Sequence, residues 1–490
     1  MKVLLISPAT PDTFWSFKHV LRFVSKRAAF PPLGLLTVAA LLPADWQVKL
    51  VDMNVNRLTD DDLRWADYVM LGAMIVHKTS VSEIVSRCRR LETPIIAGGP
   101  LFTTGHAAFP DINHFVLGEA EDLMPRVIED MRRGTVRHTY AASSRPDIKR
   151  VPSPRWDLID HRSYVTMSVQ FSRGCPFDCE FCDIIVMNGR VPRTKSPAQL
   201  VAELEELRTR GWQGMVFVVD DNFIGNKREA KALLREIIRW RTQTGAKMGF
   251  LTEASANLAD DAELCDLMVR AGFKKVFVGF ETPSLESLKE CRKLQNCRRD
   301  LVETVQTLQR AGLEVMGGFI VGFDNDPTDI FRRQFEFIQR SGVVTAMVGL
   351  LTALPETRLY RRLMDEGRIE AESTGNNTQA ALNFLPRLGR EFLVNGYRDL
   401  MKELYKPRAY YRRIRTFLEN HKPQGPRLRL SRADLQAFLK SLWLLGFWHR
   451  GRLAYWRFCI TTLLRRPRLF HVAVELAITG YHFRRVAKSL

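Results

Sequence analysis

The sequence predicts an α/β protein in three parts: a doubly wound amino-terminal domain, a partial (β/α)6 barrel, and a helical, basic carboxyl-terminal extension. Three observations carry this. Short apolar runs alternate with helically spaced segments five times before residue 135 and six times between residues 164 and 367, the pattern of parallel strands joined by crossover helices. The 490 residues exceed what one hydrophobic core serves, so several domains are expected. The net charge of +19 is lopsided: from Met401 to Leu490 there are twenty Lys and Arg against four Asp and Glu, while the rest is close to neutral.

With 46% hydrophobic and 26% charged residues the chain is globular rather than disordered. Its start, Met1-Lys2-Val3-Leu4-Leu5-Ile6-Ser7-Pro8, is too short an apolar run for a signal peptide and reads as a buried strand. A cytoplasmic location is expected, which suits reduced thiols.

In the first domain, taken as residues 1–140, the strands are read at Val3–Ile6, Val48–Val51, Tyr68–Leu71, Pro94–Ala97 and His114–Leu117. Helix-like segments such as Leu33–Leu42 and Val81–Leu91 lie between them. Sheets of this kind bind ligands at the carboxyl ends of their strands. The loops there carry Asp52-Met53-Asn54, Ala73-Met74-Ile75-Val76-His77, Gly98-Gly99-Pro100 and Gly118-Glu119, and the glycines permit close approach of a bulky ligand. A helix near Glu121–Arg133 leads to a linker, 141–163, marked by Pro146, Pro152 and Pro154.

The second domain, 164–367, shows strands at Val165–Phe171, Met215–Val219, Met248–Glu253, Lys275–Phe280, Glu314–Val321 and Thr345–Leu351. Six units are too few for a closed eight-stranded barrel.

Directly after the first of these strands comes Phe171-Ser172-Arg173-Gly174-Cys175-Pro176-Phe177-Asp178-Cys179-Glu180-Phe181-Cys182. Three of the eight cysteines fall within eight residues here. A structural zinc ion wants four protein ligands, and no fourth Cys or His stands at the usual distance. A [4Fe–4S] cluster held by three thiolates is left with one iron lacking a protein ligand, free to bind a small molecule.

This CxxxCxxC pattern resembles the signature of the radical S-adenosylmethionine (SAM) superfamily. The resemblance implies that Cys175, Cys179 and Cys182 hold a [4Fe–4S] cluster whose open iron chelates SAM, and that reductive cleavage of SAM gives a 5′-deoxyadenosyl radical. It also implies that SAM lies against Asp221, Glu253, Glu281 and Gly322 at the ends of successive strands. Asp220-Asp221-Asn222 takes the place of the family's Gly-Gly-Glu-like element, although its glycines are missing. Read as residues alone, these positions also suit a helix cap or close strand packing.

The domain order is similar to that of the cobalamin-binding class of this superfamily, which implies a corrinoid near Met74, Gly98 and Gly99. The Asp-x-His-x-x-Gly motif that supplies a lower axial histidine in many cobalamin proteins is absent. His77, His106 and His114 lack its spacing and read as surface or packing residues. Beyond single motifs, Phe171 to Pro176, Asp221-Asn222-Phe223-Ile224-Gly225-Asn226 and Leu354-Pro355-Glu356-Thr357 look like the subgroup that contains hopanoid C-2 methylases.

In the basic region, 368–490, a loop with Asn376-Asn377 precedes helices read at Arg390–Glu403 and Arg408–Asn420. Ser431 is read as the cap of a further helix containing Leu435, Phe438, Leu439, Leu442, Trp443 and Leu445. Trp448, Trp456, Leu463, Leu464, Phe470 and Phe483 are interleaved with arginines, and the apolar stretch Leu469 to Tyr481 is too short to span a bilayer. The pattern suits peripheral contact with an anionic membrane surface, ahead of a plain packed helical cap and of RNA binding.

The resemblance thus implies a cobalamin-dependent C-methyltransferase acting on an unactivated carbon of a small molecule or lipid, with flavodoxin or ferredoxin as electron donor. The competing readings are a radical SAM lipid cyclase or carbon–carbon coupling enzyme, and a non-catalytic Fe–S or corrinoid sensor. A methylthiotransferase acting on RNA is disfavoured, because the first domain lacks a second group of three cysteines.

Overall fold

The protein is described by a computed structural model covering residues 1–376, 378–422 and 432–490. The readings of Asn377 as loop and of Ser431 as a cap lie outside the described residues.

Two parallel sheets account for both α/β parts. The first contains β1 (Lys2–Ser7), β2 (Gln47–Asp52), β3 (Tyr68–Gly72), β4 (Ile95–Gly98), β5 (His114–Leu117) and β6 (Thr139–Ala141), in the order β2-β1-β3-β4-β5-β6. The inner strands β1, β3, β4 and β5 are short apolar runs of the kind that burial on both faces stabilises, while the edge strands β2 and β6 are partly exposed. Val3 and Leu5 face one core, Leu4 and Ile6 the other. The order reverses at β1, so the carboxyl ends of β1 and β3 open the crevice where such sheets take ligands. The strand β6 straddles the expected start of the linker, its tyrosine Tyr140 buried and bonded to Asp130 at 2.7 Å.

The second sheet begins with β7 (Thr166–Val169). A two-stranded ribbon, β8 (Ser172–Arg173) with β9 (Arg193–Thr194), stands at its carboxyl end. The remaining strands are β10 (Met215–Val218), β11 (Gly249–Ala254), β12 (Phe273–Glu281), β13 (Glu314–Val321) and β14 (Ala346–Leu350), all parallel and in consecutive order from β7 to β14. The sheet stays open between β7 and β14, as six strand–helix units predict.

On β10 to β12 the residues Val216, Val218, Phe250, Val276, Val278 and Phe280 are closed against the helices. The alternate residues, Phe217, Leu251, Glu253 and Phe277, share the inner face by register. The helices of the barrel carry their own start and stop signals. Asn226 caps Lys227–Thr244 by accepting from Glu229 N, and Gly245 ends it in the left-handed region.

The carboxyl-terminal helices cover the amino-terminal end of the barrel. Tyr405 donates to Ala346 O at 2.6 Å, the buried Arg413 donates to Val344 O at 3.0 Å, and Lys275 pairs with Glu314 and with Glu475 of the last helix, Phe470–Ser489. Gly480 lies under Tyr410, whose ring stands 2.2 Å from where a Cβ would sit. The apolar run Leu469 to Tyr481 is therefore a packed core helix. No helix is long and apolar enough to cross a membrane among the described residues.

Candidate functional site

The loop carrying the clustered cysteines is fastened to the barrel by two adjacent carboxylates. Asp220, beyond the tip of β10, accepts hydrogen bonds from Phe171 N and from the Ser172 hydroxyl, both at 2.7 Å. Its burial pushes the carboxyl up to about 7. Asp221 accepts from Gly174 N and from Asn188 Nδ2, each at 2.9 Å, and burial raises it as well. Gly174 has φ +96°, and a Cβ there would meet Gly189 O at 2.9 Å, so glycine is what lets the chain turn into Cys175.

Further along, Cys182 N bonds Cys179 O at 3.2 Å, and Glu180 N donates to Cys291 O at 2.9 Å. The Glu180 carboxylate accepts from Arg362 Nε at 2.6 Å. These ties hold three thiols that the sequence merely placed in one segment.

The surroundings of the sulfurs fit an iron–sulfur cluster. Asn222 Nδ2 points to Cys175 Sγ at 3.7 Å and Gln295 Nε2 to Cys179 Sγ at 3.8 Å. Lys293, paired with Glu281 at 2.7 Å, places a cation beside Cys179 and Cys182. Sulfurs that carry cluster charge are stabilised by such N–H donors and cations. Every cysteine is free. Among the described residues no three His, Cys, Asp or Glu side chains gather tightly enough for a single ion. A cluster gives each of three thiolates an iron of its own. Cys291, far away in sequence, lies close to Cys179, but its thiol faces Leu288 O at 3.6 Å.

The other expected positions stand on neighbouring strand ends around the same mouth. Glu253 faces inward on β11. Desolvation, with the charges of Asp221 and Asp220 adding to it, pushes its carboxyl up to about 8. Glu281 ends β12 in the left-handed region, φ 63°, where its pairing with β13 shifts register. Gly322 follows β13 with φ +111°, its N–H donating to Asp326 Oδ2 at 2.7 Å.

In the first domain, Met74 is half exposed at the β3 end. Gly99, φ +96°, lets the β4 end lie on Ala73, whose carbonyl oxygen is 2.9 Å from where a Cβ would sit. Gly98 is similarly close to Val116 O, at 3.2 Å. The exposed Met74 stands beside the β1–β3 crevice, where sheets of this kind take ligands, while Gly98 and Gly99 let the β4 end pack closely on the neighbouring backbone. His77 is buried with both ring nitrogens in use, toward Met74 N at 3.2 Å and Thr10 Oγ1 at 3.1 Å, and burial drives it down to about 4. His114 Nδ1 lies 2.8 Å from Arg137 O.

Two features were not legible in the sequence. Arg173, inside the cysteine segment, is bonded at 2.6 Å to both Glu119 and Glu121 of the first domain, and Arg193 joins Glu119 at 2.5 Å. The mouth of the barrel is thereby held against the β5 end of the first sheet. At the other end of the lumen, Trp15, from the loop after β1, lies parallel to Phe217 at 5.9 Å and 5.2 Å from Phe277, with Phe30 beside it. By register Phe277 is level with Glu253 and Phe217 lies two residues lower, so these rings form an aromatic floor beside and beneath it. A tryptophan in a loop carries no periodic signal that would have assigned it there.

An open six-stranded barrel with a three-thiol loop at its mouth, clamped to a doubly wound domain, defines the architecture of a cobalamin-binding radical SAM enzyme. Family models agree: a B12 binding domain matches residues 23–128, the radical SAM superfamily matches 169–338, and a domain of unknown function, DUF4070, matches 357–490. The chain is 41% identical over 497 residues to an uncharacterized methyltransferase of Synechocystis sp., covering 99% of this chain and 91% of that protein. It is 33% identical over 478 residues to the hopanoid C-2 methylase of Rhodopseudomonas palustris, covering 95% and 90%. The chain therefore belongs to the cobalamin-dependent radical SAM methyltransferase family.

Two solved structures share the fold. One is the methyltransferase TsrM of Kitasatospora setae with cobalamin and a [4Fe–4S] cluster bound, with TM-score 0.63, 17% identity and coverage of 93% and 98%. The other is the radical enzyme OxsB with aqua-cobalamin and SAM bound, with TM-score 0.64, 16% identity and coverage of 100% and 80%.

Proposed function

We propose that this protein is a C-methyltransferase in which Cys175, Cys179 and Cys182 hold a [4Fe–4S] cluster, SAM lies among Asp221, Glu253, Glu281 and Gly322, and cobalamin lies against Met74, Gly98 and Gly99. Bound there, these groups supply radical and methyl-transfer chemistry to an unactivated carbon. The chain's own residues do the positioning. Asp220 and Asp221 lock the cysteine loop, Glu281 holds Lys293 beside the sulfurs, and the Arg173 clamp keeps the two cofactor surfaces face to face. The observation that carries the reading is the Cys175–Cys182 loop with N–H donors on two of its sulfurs.

An apolar substrate, such as a lipid, is supported by the aromatic floor of Trp15, Phe217 and Phe277. Aromatic faces bind apolar surface and offer no charge to a polar ligand. Electrons come from a reductant of the flavodoxin or ferredoxin kind.

The test is anaerobic reconstitution followed by dithionite reduction, with 5′-deoxyadenosine as the readout. The wild-type chain forms it and Cys179→Ala does not. Undiminished cleavage in that variant removes the site assignment. A product heavier by a methyl group supports the methyltransferase, whereas a product that has only lost hydrogens supports the cyclase or coupling alternative.

A further inference from the structure

The carboxyl-terminal region sorts its apolar residues into two sets that the sequence leaves mixed. Phe483, Leu476 and Tyr455 are closed inside the helical core. The hairpin formed by Arg432–Ser441, the one wide turn Leu442–Trp448, and the helix Arg452–Arg465 turns the other set outward. Leu439 is 55% exposed, Trp443 61%, Phe447 57%, Trp448 71%, Leu453 81% and Leu464 77%. The first three recur every fourth residue, so they form one stripe along the first arm. The Trp443 ring lies 6.0 Å from Phe447, tilted, and 6.1 Å from Trp448, edge-on, which joins these side chains into a continuous patch. Solvent-facing apolar surface on this scale marks an interaction site.

Charge decides what covers it. Arg450, Arg452, Arg457, Arg465, Arg466 and Arg468 are exposed around the same hairpin, and among the described residues none of the six has an ion-pair partner. Other arginines of the region are spent internally: Arg413 and Arg484 are buried against the rings of Tyr410 and its neighbours. The exposed arginines thus share the hairpin and the turn after it with the exposed apolar residues, a composition suited to an interface with apolar depth beneath a layer of anions. Folded RNA offers phosphates and stacked bases but no medium for Leu453 and Leu464.

We infer that the hairpin spanning residues 432–465 is a membrane-docking element that seats the enzyme on an anionic bilayer surface, with Trp443, Phe447, Trp448, Leu453 and Leu464 entering the headgroup region and the arginines meeting lipid phosphates. The element is joined rigidly to the catalytic part. Lys440 Nζ donates to Ser25 Oγ at 3.0 Å and to Arg22 O at 3.3 Å, at the end of the helix Lys18–Val24, and that helix follows directly on the segment containing Trp15 and Phe17. Between Phe23 and Trp443 an open cleft of about 400 Å³ with apolar walls faces the same side. A docked bilayer thus lies next to the segment that floors the barrel.

The experiment is flotation of the full-length protein with vesicles of phosphatidylcholine alone or mixed with phosphatidylglycerol. Binding to the mixed vesicles and much weaker binding to the neutral ones is expected, falling with added salt. Trp443→Ser combined with Trp448→Ser releases the protein without changing its circular dichroism. Replacing Arg465 and Arg466 by alanine weakens partition by about fivefold for each arginine removed. The inference is overturned if neither vesicle type recovers the protein. It is also overturned if single-stranded RNA binds more tightly than the mixed vesicles, or if the two tryptophan replacements instead convert a dimer to a monomer with no change in flotation. Because flotation reads partition and not turnover, its outcome is separate from that of SAM cleavage.

Discussion

Arg173 Nη1 lies 2.6 Å from Glu119 Oε2, so a residue of the cysteine loop is bonded to a residue of the other sheet. The pair is nearly closed to solvent, its side chains 14% and 10% exposed, and Glu121 and Arg193 extend it into a network of four. Buried charges of this kind hold geometry well when complete and penalise the fold when one partner is lost. Arg173→Met is expected to destabilise the cofactor-free protein by about 3 kcal/mol, read by urea unfolding. Glu119→Gln added to it is expected to cost much less than the sum of the two single changes.

Gly174 and Gly245 both have positive φ, but only Gly174 is crowded. Gly245→Ala is expected to cost about 1 kcal/mol, the backbone term alone. Gly174→Ala puts a methyl group against Gly189 O, so the cysteine loop opens. Iron bound after anaerobic reconstitution is expected to fall severalfold in this variant and to stay unchanged in Gly245→Ala, which carries the backbone term without the clash.

Glu253 supplies a pH dependence. Its carboxyl is raised from the ordinary 4.5 to about 8, so the folded state holds a proton that the unfolded chain releases earlier. This contribution is complete below the unfolded value and is lost as pH rises through 8. Asp220, raised to about 7, adds a similar loss slightly lower on the scale. Urea midpoints of the cofactor-free protein are expected to fall between about pH 4.5 and 8, and Glu253→Gln to remove its share of that fall, most visibly between 7 and 8 where Asp220 no longer contributes.

Asp326 accepts from Ser287 Oγ, Gly322 N and Phe323 N at 2.7, 2.7 and 3.1 Å and so shapes the turn after β13. Asp326→Ala leaves these donors buried and unpaired, at a cost of about 2–3 kcal/mol in unfolding experiments. Weaker SAM binding by equilibrium dialysis is expected alongside.

Trp15→Ala empties the floor of the barrel. Product formation is expected to fall by at least about tenfold, in proportion to the lost apolar contact. Cleavage of SAM without substrate is expected to persist. Parallel loss of both activities would place Trp15 outside substrate contact.

Much was readable from the chain by itself. Strand positions followed from apolar runs, and His114–Leu117 and Glu314–Val321 coincide with β5 and β13 to the residue. The three-cysteine segment was equally plain, because a ligand motif and a strand are both patterns within a dozen neighbouring residues. What the fold alone decided depends on partners far apart in sequence. Asp221 was read as a SAM contact or a helix cap, and its carboxylate also fastens Gly174, 47 positions away. Trp15 had no periodic context and proves to lie on Phe217 inside the barrel. The arginines and aromatics of the tail looked uniform until packing buried Phe483 and left Trp448 exposed. Local spacing sets which elements form, whereas burial, pairing and charge environment arise only when those elements close on one another, since desolvation and close contact are properties of the assembled interior.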